Sequence, residues 1–484
     1  MIKCIFYLLI LCSMTSCTLK TTKNNYRKID QDVIQIFPLE NYSQNINDWI
    51  NKNNPDYDTP LLSADVQKKH LEKLYEHNYG DLSPWNKQYV NQLLHKATPN
   101  DIVTIIQNNL IEFSNKNKTV NDIGYGENFR PYTEGWIDNI NANINITQFY
   151  NLTYQASNRA IAIDNLHARL LPTNDVHFYS YKQAGQGYPF DNLQMSSIWA
   201  GIPLYIIGTT KDRAWSLVIT PDFIVWVKSS GIARTNAEFV NKWQMAAKSH
   251  LVAITRTQTA ITDTTGQFLF SAYIGSIFPM INDNSTLSKK LMIPSMRNGY
   301  AVIKYAEVPN QNTVEMPLMV TQRNIANILS SLSGRPYGWG NSYFYNDCSA
   351  ELKNFFATFG IWLPRQASDQ SKYGRVVDMS SSSLEQRISY LMENGKPFLT
   401  IIYIGGHIVM YIGNYPNSHN KESPLMAMSY QNVWGLHPAG VNTRIVVGGS
   451  VFLPLLLQYP EMPNIESLAA KKYFQVIYLD QVVE

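Results

Sequence analysis

The spacing of apolar residues changes twice along this chain, and each change marks a different kind of structure. Ile102, Ile106 and Phe113 recur at helical intervals. From about residue 150 to residue 308, short β-branched and aromatic runs alternate with Gly, Pro, Asn and Asp, which is the pattern of small all-β domains. Beyond residue 321, helical and strand patterns mix. A chain of 484 residues exceeds what one hydrophobic core usually supports, so we predict several domains.

The same patterns divide the chain into regions. We predict an amino-terminal helical domain over residues 59–155, a first small barrel over 156–235 and a second over 236–320. The strands fall into two clusters separated by the polar, helix-like segment 236–248, which favours two barrels over one sandwich. The last region, 321–484, has the element order of an α+β domain.

The amino terminus has the pattern of a secretory leader. Lys3 precedes an apolar core over residues 4–14 that is too short to cross a bilayer, which takes roughly 20 residues. The ending Thr15-Ser16-Cys17 also resembles a bacterial lipoprotein cleavage box, in which the cysteine is lipidated. We therefore expect residues 1–17 to be a signal peptide of the lipoprotein type, lipidated at Cys17, and residues 18–58 to be a tether. Simple secretion without a lipid is the alternative.

Charge and cysteine content limit the partners. A formal net charge of +3 and the lack of a run of five basic residues argue against nucleic acid. We expect a monomer in the bacterial cell envelope, a periplasmic lipoprotein or otherwise a secreted protein, that meets a membrane only through Cys17. Once the leader is removed, only Cys17 and Cys348 remain of four cysteines, so no disulfide is expected.

Cys348 is the candidate nucleophile. Behind it Leu352, Phe355 and Phe359 recur at helical spacing, so the thiol occupies the first turn of a helix whose rear face is buried. The helix dipole at that place favours the thiolate. A lone buried cysteine is more often inert packing, however, and catalysis requires a partner.

A candidate base lies in an apolar hairpin further along the chain. Residues 396–404 have a strand pattern, Gly405-Gly406 a tight-turn pattern, and residues 407–412 form the returning strand with His407 at its mouth. Thiol attack on an amide needs such a base, a group that orients it, and donors for the developing oxyanion.

The orienting group should lie on a strand beside that of His407. Gln431, on the predicted strand 424–431, is the polar candidate, and His437 is the reserve. A neutral amide can hold the imidazole but cannot stabilise imidazolium as a carboxylate would.

Four segments together resemble a known family. They are residues 334–341 (GRPYGWGN), Asp347-Cys348-Ser349, residues 359–365 (FGIWLPR) and residues 406–413 (GHIVMYIG). In this order and spacing they resemble the NlpC/P60 peptidoglycan endopeptidases, which are papain-like cysteine peptidases of bacterial cell walls. The resemblance covers about residues 321–460.

Upstream segments resemble one branch of the same family. Residues 158–234 and 248–308 resemble its two bacterial SH3-like (SH3b) barrels, and the helical region resembles its amino-terminal domain. The fold class implied is α+β, with a papain-like NlpC-type catalytic domain preceded by two small SH3-like β-barrels and an amino-terminal helical region.

The resemblance assigns roles to the candidate residues. It implies that Cys348 is the nucleophile, that His407 is the base and later the acid, and that Gln431 fills the third polar position, where relatives often have histidine. Two departures are Asn341 and Ala350, which stand where many relatives have glycine.

The resemblance also implies the surroundings of the thiol. The Tyr337 hydroxyl and the Cys348 amide are expected to face the oxyanion. Trp339, Asp347 and Ser349 are expected to line the substrate groove.

The implied substrate is the bond between γ-D-glutamate and a diamino acid in a peptidoglycan stem peptide, cleaved through an acyl-enzyme. In the branch with two barrels, the first barrel narrows the groove and favours a free amino-terminal L-alanine. Glu134 and Asp191 are the candidate partners of that ammonium group. We expect neither a cofactor nor a metal.

Two other functions remain open. A catalytically silent peptidoglycan-binding scaffold is one, because SH3-like barrels bind wall peptides and the third position is substituted. A zinc-dependent wall amidase is the other, although the chain lacks His-Glu-x-x-His and its ligands would have to come from His407, His419 and His437.

Overall fold

The computed structural model describes residues 34–96, 101–281, 287–417 and 424–482. The described part of residues 35–484 forms one compact unit. The predicted signal peptide and Cys17 lie outside the described residues. Within the described ranges, no helix combines the length and the apolar character needed to cross a bilayer.

The region predicted to be helical has short, capped helices. They are α1 (Ala64–Asn78), α2 (Lys87–Leu94), α3 (Ile102–Glu112) and α4 (Glu134–Ile144). Ser63, Asn86 and Asp101 begin the first three helices, because each side chain accepts the backbone N–H three residues on. The buried face of α4, with Ile137 and Ile144, packs into the same core as strands of the first barrel.

The first group of strands follows these helices. It comprises β1 (Arg159–Ala162), β2 (Leu166–Arg169), β3 (Gln194–Ile198), β4 (Pro203–Thr209), β5 (Trp215–Ile219), β6 (Ile224–Lys228) and β7 (Ile232–Arg234). Leu204, Val218 and Val225 lie in its buried interior.

The second group begins with a helix, as the polar segment predicted. It comprises α5 (Ala237–Ser249), β8 (Leu251–Ile254), β9 (Thr259–Thr262), β10 (Phe268–Ala272), β11 (Ile277–Ile281), β12 (Ser288–Arg297), β13 (Tyr300–Pro309) and β14 (Thr313–Glu315). Phe278 and Leu291 belong to its own core. A short parallel pairing of β13 with β7 joins the two groups into one continuous sheet. Ile161 and Ala233 of the first group also share a core with Leu251 and Ile277 of the second.

The last region contains both helices and a sheet. Its elements are α6 (Gln322–Leu332), α7 (Cys348–Ala357), α8 (Ala367–Gln370), β15 (Arg375–Asp378), α9 (Leu384–Asn394), β16 (Thr400–Tyr403), β17 (Ile408–Pro416), β18 (Leu425–Leu436), β19 (Ile445–Leu455) and β20 (Gln475–Tyr478). The sheet is antiparallel with the order β15-β20-β16-β17-β18-β19. The buried face of α7 packs against β17 and β18.

The expected tether is wrong for the described part of residues 18–58. Phe37, Tyr42 and Ile46 are buried in the core of the last region. The backbone also pairs with the edge strand β19, since Phe37 N–H donates to the Val446 carbonyl over 2.9 Å. Apolar residues scattered among Asn, Asp and Lys looked like a loose arm, but they cover the open edge of a sheet.

Candidate active site

Cys348 is the first residue of α7, as predicted. Asp347 caps the helix by accepting the Ala350 N–H over 3.0 Å. The thiol is largely buried, with Cys348 9% exposed. The backbone N–H of Ile408, the residue after His407, lies close enough to the sulfur to favour its thiolate, so the hairpin that carries His407 lies beside the nucleophile.

A chain of hydrogen bonds fixes the histidine. His407 Nε2 lies 2.8 Å from Gln431 Oε1. The Gln431 amide nitrogen donates to Ser429 Oγ over 3.0 Å, and that hydroxyl donates to the Leu453 carbonyl. Since the Ser429 proton is taken, Ser429 must accept from the Gln431 NH₂, and Oε1 must therefore face the imidazole. Nε2 then carries the proton of neutral His407, which leaves Nδ1 as the acceptor.

Burial favours the neutral form of both the thiol and the imidazole. Burial raises the pKa of Cys348 to about 12, and the charge of Asp347 adds to this effect. Burial lowers the pKa of His407, although the Gln431 hydrogen bond opposes the change. Desolvation and the neighbouring carboxylate therefore oppose the thiolate that the helix dipole favours.

Asp347 and Ser349 are buried on either side of Cys348 and bind Arg365. Arg365 holds both Asp347 oxygens, at 3.0 and 2.6 Å, and also donates to Ser349 Oγ over 2.9 Å. Both residues are buried. They therefore position the start of α7, and their polar groups already have partners.

Aromatic rings from two domains meet beside the thiol. Phe190 lies 6.5 Å from Tyr337, 5.3 Å from Trp339 and 5.5 Å from Trp434, measured between ring centroids. Burial, with the nearby Cys348 and Asp347, raises the pKa of Tyr337 well above its usual value. Its hydroxyl thus keeps its proton and can donate it. Phe190 belongs to the predicted first barrel, so this barrel contributes an aromatic ring that packs against Tyr337 and Trp339 of the catalytic domain.

One of the two departures from the family pattern has a backbone explanation. Asn341 has φ 59°, in the left-handed region that glycine adopts most easily and that asparagine tolerates. Its side chain donates to Asn346 Oδ1 over 2.9 Å. Ala350 occupies the first turn of α7, where an alanine is a good helix residue.

The two candidate ammonium partners differ. Asp191 is buried and committed: Arg169 binds one oxygen over 2.8 Å, and the N–H groups of His177 and Leu193 bind the other. It is therefore a structural carboxylate, and its assignment as an ammonium partner was wrong. Glu134 is exposed at the start of α4.

The reserve candidate His437 does not contact His407. His437 pairs with Glu466 over 3.1 Å, so Gln431 and not the reserve candidate contacts His407. His419 lies outside the described residues. In the part of the chain that the structure describes, no three His, Cys, Asp or Glu side chains gather as a metal site requires.

Three residues of the site received no role from the sequence. They are Arg365, which stood in a quoted segment, Ser429, which lies two residues before Gln431, and Phe190, which comes from a distant domain. Strand alternation placed Ser429 on the same face as Gln431 but did not identify its partners. Only the tertiary structure reveals the other two contacts.

Family comparisons agree with this arrangement. Residues 3–149 match the NLPC_P60 stabilising domain, 177–228 the SH3 domain of SH3b1 type, 236–283 the SH3 domain of SH3b2 type, and 334–437 the NlpC/P60 family. These matches confirm the predicted fold class. The exact domain limits stay predictions.

Three known proteins were compared with the chain. A γ-D-glutamyl-L-lysine dipeptidyl-peptidase of Bacillus subtilis is 30% identical over 91 residues, which are 19% of this chain and only 29% of that enzyme. An NlpC/P60 endopeptidase from Photobacterium damselae subsp. piscicida is similar in structure, with a TM-score of 0.78 and 26% identity over 93% of this chain and 100% of that one. An NlpC/P60 family protein from Bacillus cereus is 18% identical, with a TM-score of 0.39 over 57% of this chain and 81% of its own. The chain thus contains an NlpC/P60 domain, two SH3b domains and a segment that matches the NLPC_P60 stabilising domain.

Proposed function

We propose that this protein is a cysteine endopeptidase that hydrolyses the bond between γ-D-glutamate and a diamino acid in peptidoglycan stem peptides. The strongest support for this proposal is the set of hydrogen bonds that fixes the tautomer of His407. The hydrogen bonds from Leu453 through Ser429 and Gln431 to His407 leave His407 Nδ1 as a proton acceptor in a hairpin that lies beside the Cys348 sulfur. A silent scaffold would not need this defined tautomer.

The reaction begins from a neutral pair. As the Cys348 sulfur attacks the γ-carbonyl carbon, its proton moves to His407 Nδ1 and the carbonyl oxygen becomes an oxyanion. The Tyr337 hydroxyl and the Cys348 N–H, a first-turn amide with no partner inside the helix, are the donors for this oxyanion. Charge therefore appears only as the bond forms, in a site whose donors are already oriented.

The second half of the reaction restores the enzyme. Protonated His407 gives its proton to the amine nitrogen of the diamino acid, the C–N bond breaks, and a thioester remains on Cys348. Water then attacks the thioester while His407 takes its proton, and the thiol leaves with that proton. The products are a new γ-carboxyl on D-glutamate and a free amine on the diamino acid.

The substrate class is supported from two directions. A relative is named for the γ-D-glutamyl-L-lysine bond and as a dipeptidyl-peptidase, a class that acts on peptides with a free amino terminus. Phe190 packs against Trp339 and Trp434. We propose that this contact closes one side of the groove and favours a free amino-terminal L-alanine, with the exposed Glu134 as the partner of its ammonium group.

The proposed setting is the bacterial cell envelope, because the family acts on cell walls. Peptidoglycan stem peptides are the proposed partners of the groove. Lipid attachment at Cys17 is part of the same proposal, and mass spectrometry of the membrane fraction for a lipidated Cys17 peptide tests it.

Mass spectrometry of L-Ala-γ-D-Glu-meso-diaminopimelate peptides, with and without an acetylated amino terminus, tests the activity. The full chain is expected to cut after D-glutamate in the free-amine peptide and far more slowly in the acetylated one. Cleavage of both at equal rates would refute the preference for a free amine. Binding without cleavage by folded protein would instead favour the scaffold.

Glu134→Gln tests the ammonium partner. We expect a higher KM for the free-amine peptide with little change for the acetylated one, because only the former loses an ion pair. Glu127→Gln, at another exposed carboxylate of the same region, is the matched control. A wild-type KM in Glu134→Gln would remove Glu134 from the proposal.

A further inference from the structure

Strand β3 of the first barrel reaches into the catalytic domain. Gln194 Nε2 donates to the Gly340 carbonyl over 2.9 Å, and Ser197 Oγ donates to the Asn341 carbonyl over 3.1 Å. Ser196, between them, is buried and accepts a hydrogen bond from Arg365 Nε over 2.8 Å. One strand of the barrel thus holds two separate parts of the catalytic domain.

Both parts lead to Asp347. Arg365, which binds Ser196 through Nε, forms its bidentate pair with the Asp347 carboxylate. Gly340, which is bound by Gln194, donates its N–H to Asp347 Oδ2 over 3.1 Å. Asp347 is the cap of α7 and the residue before Cys348. Two sets of hydrogen bonds therefore connect the barrel to Asp347, the residue that positions Cys348.

The loop between these contacts needs outside support. Asn341, Tyr343 and Phe344 all have φ near +60°, at 59°, 57° and 61°. Residues other than glycine persist in this region only when their surroundings fix them. The Phe344 ring stacks on His167 of the first barrel, with centroids 4.6 Å apart. Contacts with the barrel therefore hold this loop in its conformation.

We propose that Ser196 and Gln194 of the first barrel are positioning residues for the catalytic thiol, acting through Arg365 and Gly340 on Asp347. The barrel is then part of the catalytic framework. A test by kcat rests on the proposed function, because it needs the peptide to be cleaved. A test by the alkylation rate of Cys348 does not.

Loss of the Ser196 contact should lower the reactivity of the thiol. The Arg365 charge stabilises the Cys348 thiolate, whereas the Asp347 charge opposes it. Without Ser196 Oγ, the guanidinium loses the contact that fixes Nε and stands less firmly beside the sulfur. Thiolate should then be harder to form at every pH.

Ser196→Ala in the full chain tests this. We expect kcat to fall about 3- to 10-fold with KM within about twofold, since substrate contacts are unchanged. Iodoacetamide should alkylate Cys348 more slowly by a similar factor across about pH 7 to 10. Ser196→Thr, which keeps the hydroxyl, should recover both rates, and Gln194→Ala combined with Ser196→Ala should lose less than the sum because both act on Asp347.

Ser216→Ala is the matched control, because Ser216 is an equally buried serine of the same barrel that pairs with Ser229. It should leave kcat and alkylation unchanged. A Ser196→Ala protein with a lowered Tm but wild-type kcat and alkylation would overturn the inference, as would equal losses in both variants. If wild type cleaves no peptide while alkylation still slows in Ser196→Ala, the proposed function fails and the positioning role stands.

Discussion

At the residue scale, Glu351 shows how an acidic group is held in the interior near the start of α7. It lies inside α7 and is 1% exposed. Asn346 Nδ2 donates to it over 2.6 Å and Ser450 Oγ over 2.9 Å, and the Tyr430 hydroxyl donates as well. Asn346 lies two residues before Cys348, and Tyr430 is next to Gln431. The carboxyl group therefore ties both halves of the candidate site together.

Glu351→Gln should destabilise the protein by about 1–3 kcal/mol, the range for an unsatisfied buried polar group. The carboxamide has one acceptor oxygen for three donors, so either Asn346 or the pair of Tyr430 and Ser450 would face a second donor. Urea unfolding measures the change, with the exposed Glu385→Gln as control. A stability equal to wild type would mean that the network rearranges freely.

Gln431→Ala should lower kcat roughly 10- to 100-fold, because the amide orients His407 and does not itself transfer a proton. Steady-state kinetics on the free-amine peptide measure this effect. The exposed Gln458→Ala serves as control. Unchanged kinetics in Gln431→Ala would show that another group fixes the tautomer.

At the element scale, the β16–β17 hairpin places the base. Its turn has φ 50° at Gly405 and 92° at Gly406, and the Ile404 N–H donates to the His407 carbonyl over 2.7 Å. The sequence predicted this turn from the glycine pair, and it predicted α7 from apolar spacing, because both signals are local. The β3 contacts with the 340–344 loop were not predictable, since they join residues about 145 positions apart.

Gly406→Ala should cost about 1–2 kcal/mol, because alanine disfavours a positive φ. No atom lies within 4 Å of an added Cβ, so the cost is in the backbone alone. The same holds at Gly440, with φ 76°. Both variants should lose similar stability in thermal unfolding, but only Gly406→Ala should lose activity, because its turn carries His407. Equal activity in the two variants would show that the conformation of the Gly405-Gly406 turn does not affect catalysis.

At the scale of the whole molecule, domains that the sequence predicted one by one are interlocked. Apolar patterning located the strand clusters and the last α+β region. It did not reveal that residues 37–57 cover the edge of β19, or that β7 and β13 join the barrels. The pattern of apolar residues predicts that a residue is buried, but it does not predict which residues pack against it. The described part of residues 35–484 is accordingly one contact unit.

Buried histidines should make this unit sensitive to acid. Burial lowers the pKa of His177, which lies between the helical region and the first barrel, to about 4. The unfolded chain binds this proton near pH 6.5, so stability should be constant above that pH, fall towards about pH 4, and then level off. A shift of this size is worth on the order of 3 kcal/mol.

Urea unfolding at several pH values checks this prediction. His177→Phe, which keeps a ring among Phe113, Tyr132 and Trp136, should flatten the dependence. An unaltered pH dependence in that variant would assign the effect to other groups.

The central claim is that Cys348 carries the acyl group. Intact-protein mass spectrometry of an acid-quenched reaction with L-Ala-γ-D-Glu-meso-diaminopimelate measures this directly, with Cys348→Ala alongside. We predict an added L-Ala-γ-D-Glu acyl group on the fragment that contains Cys348, and neither adduct nor cleavage in Cys348→Ala. Continued cleavage by Cys348→Ala, or an adduct on a different residue, would contradict the account.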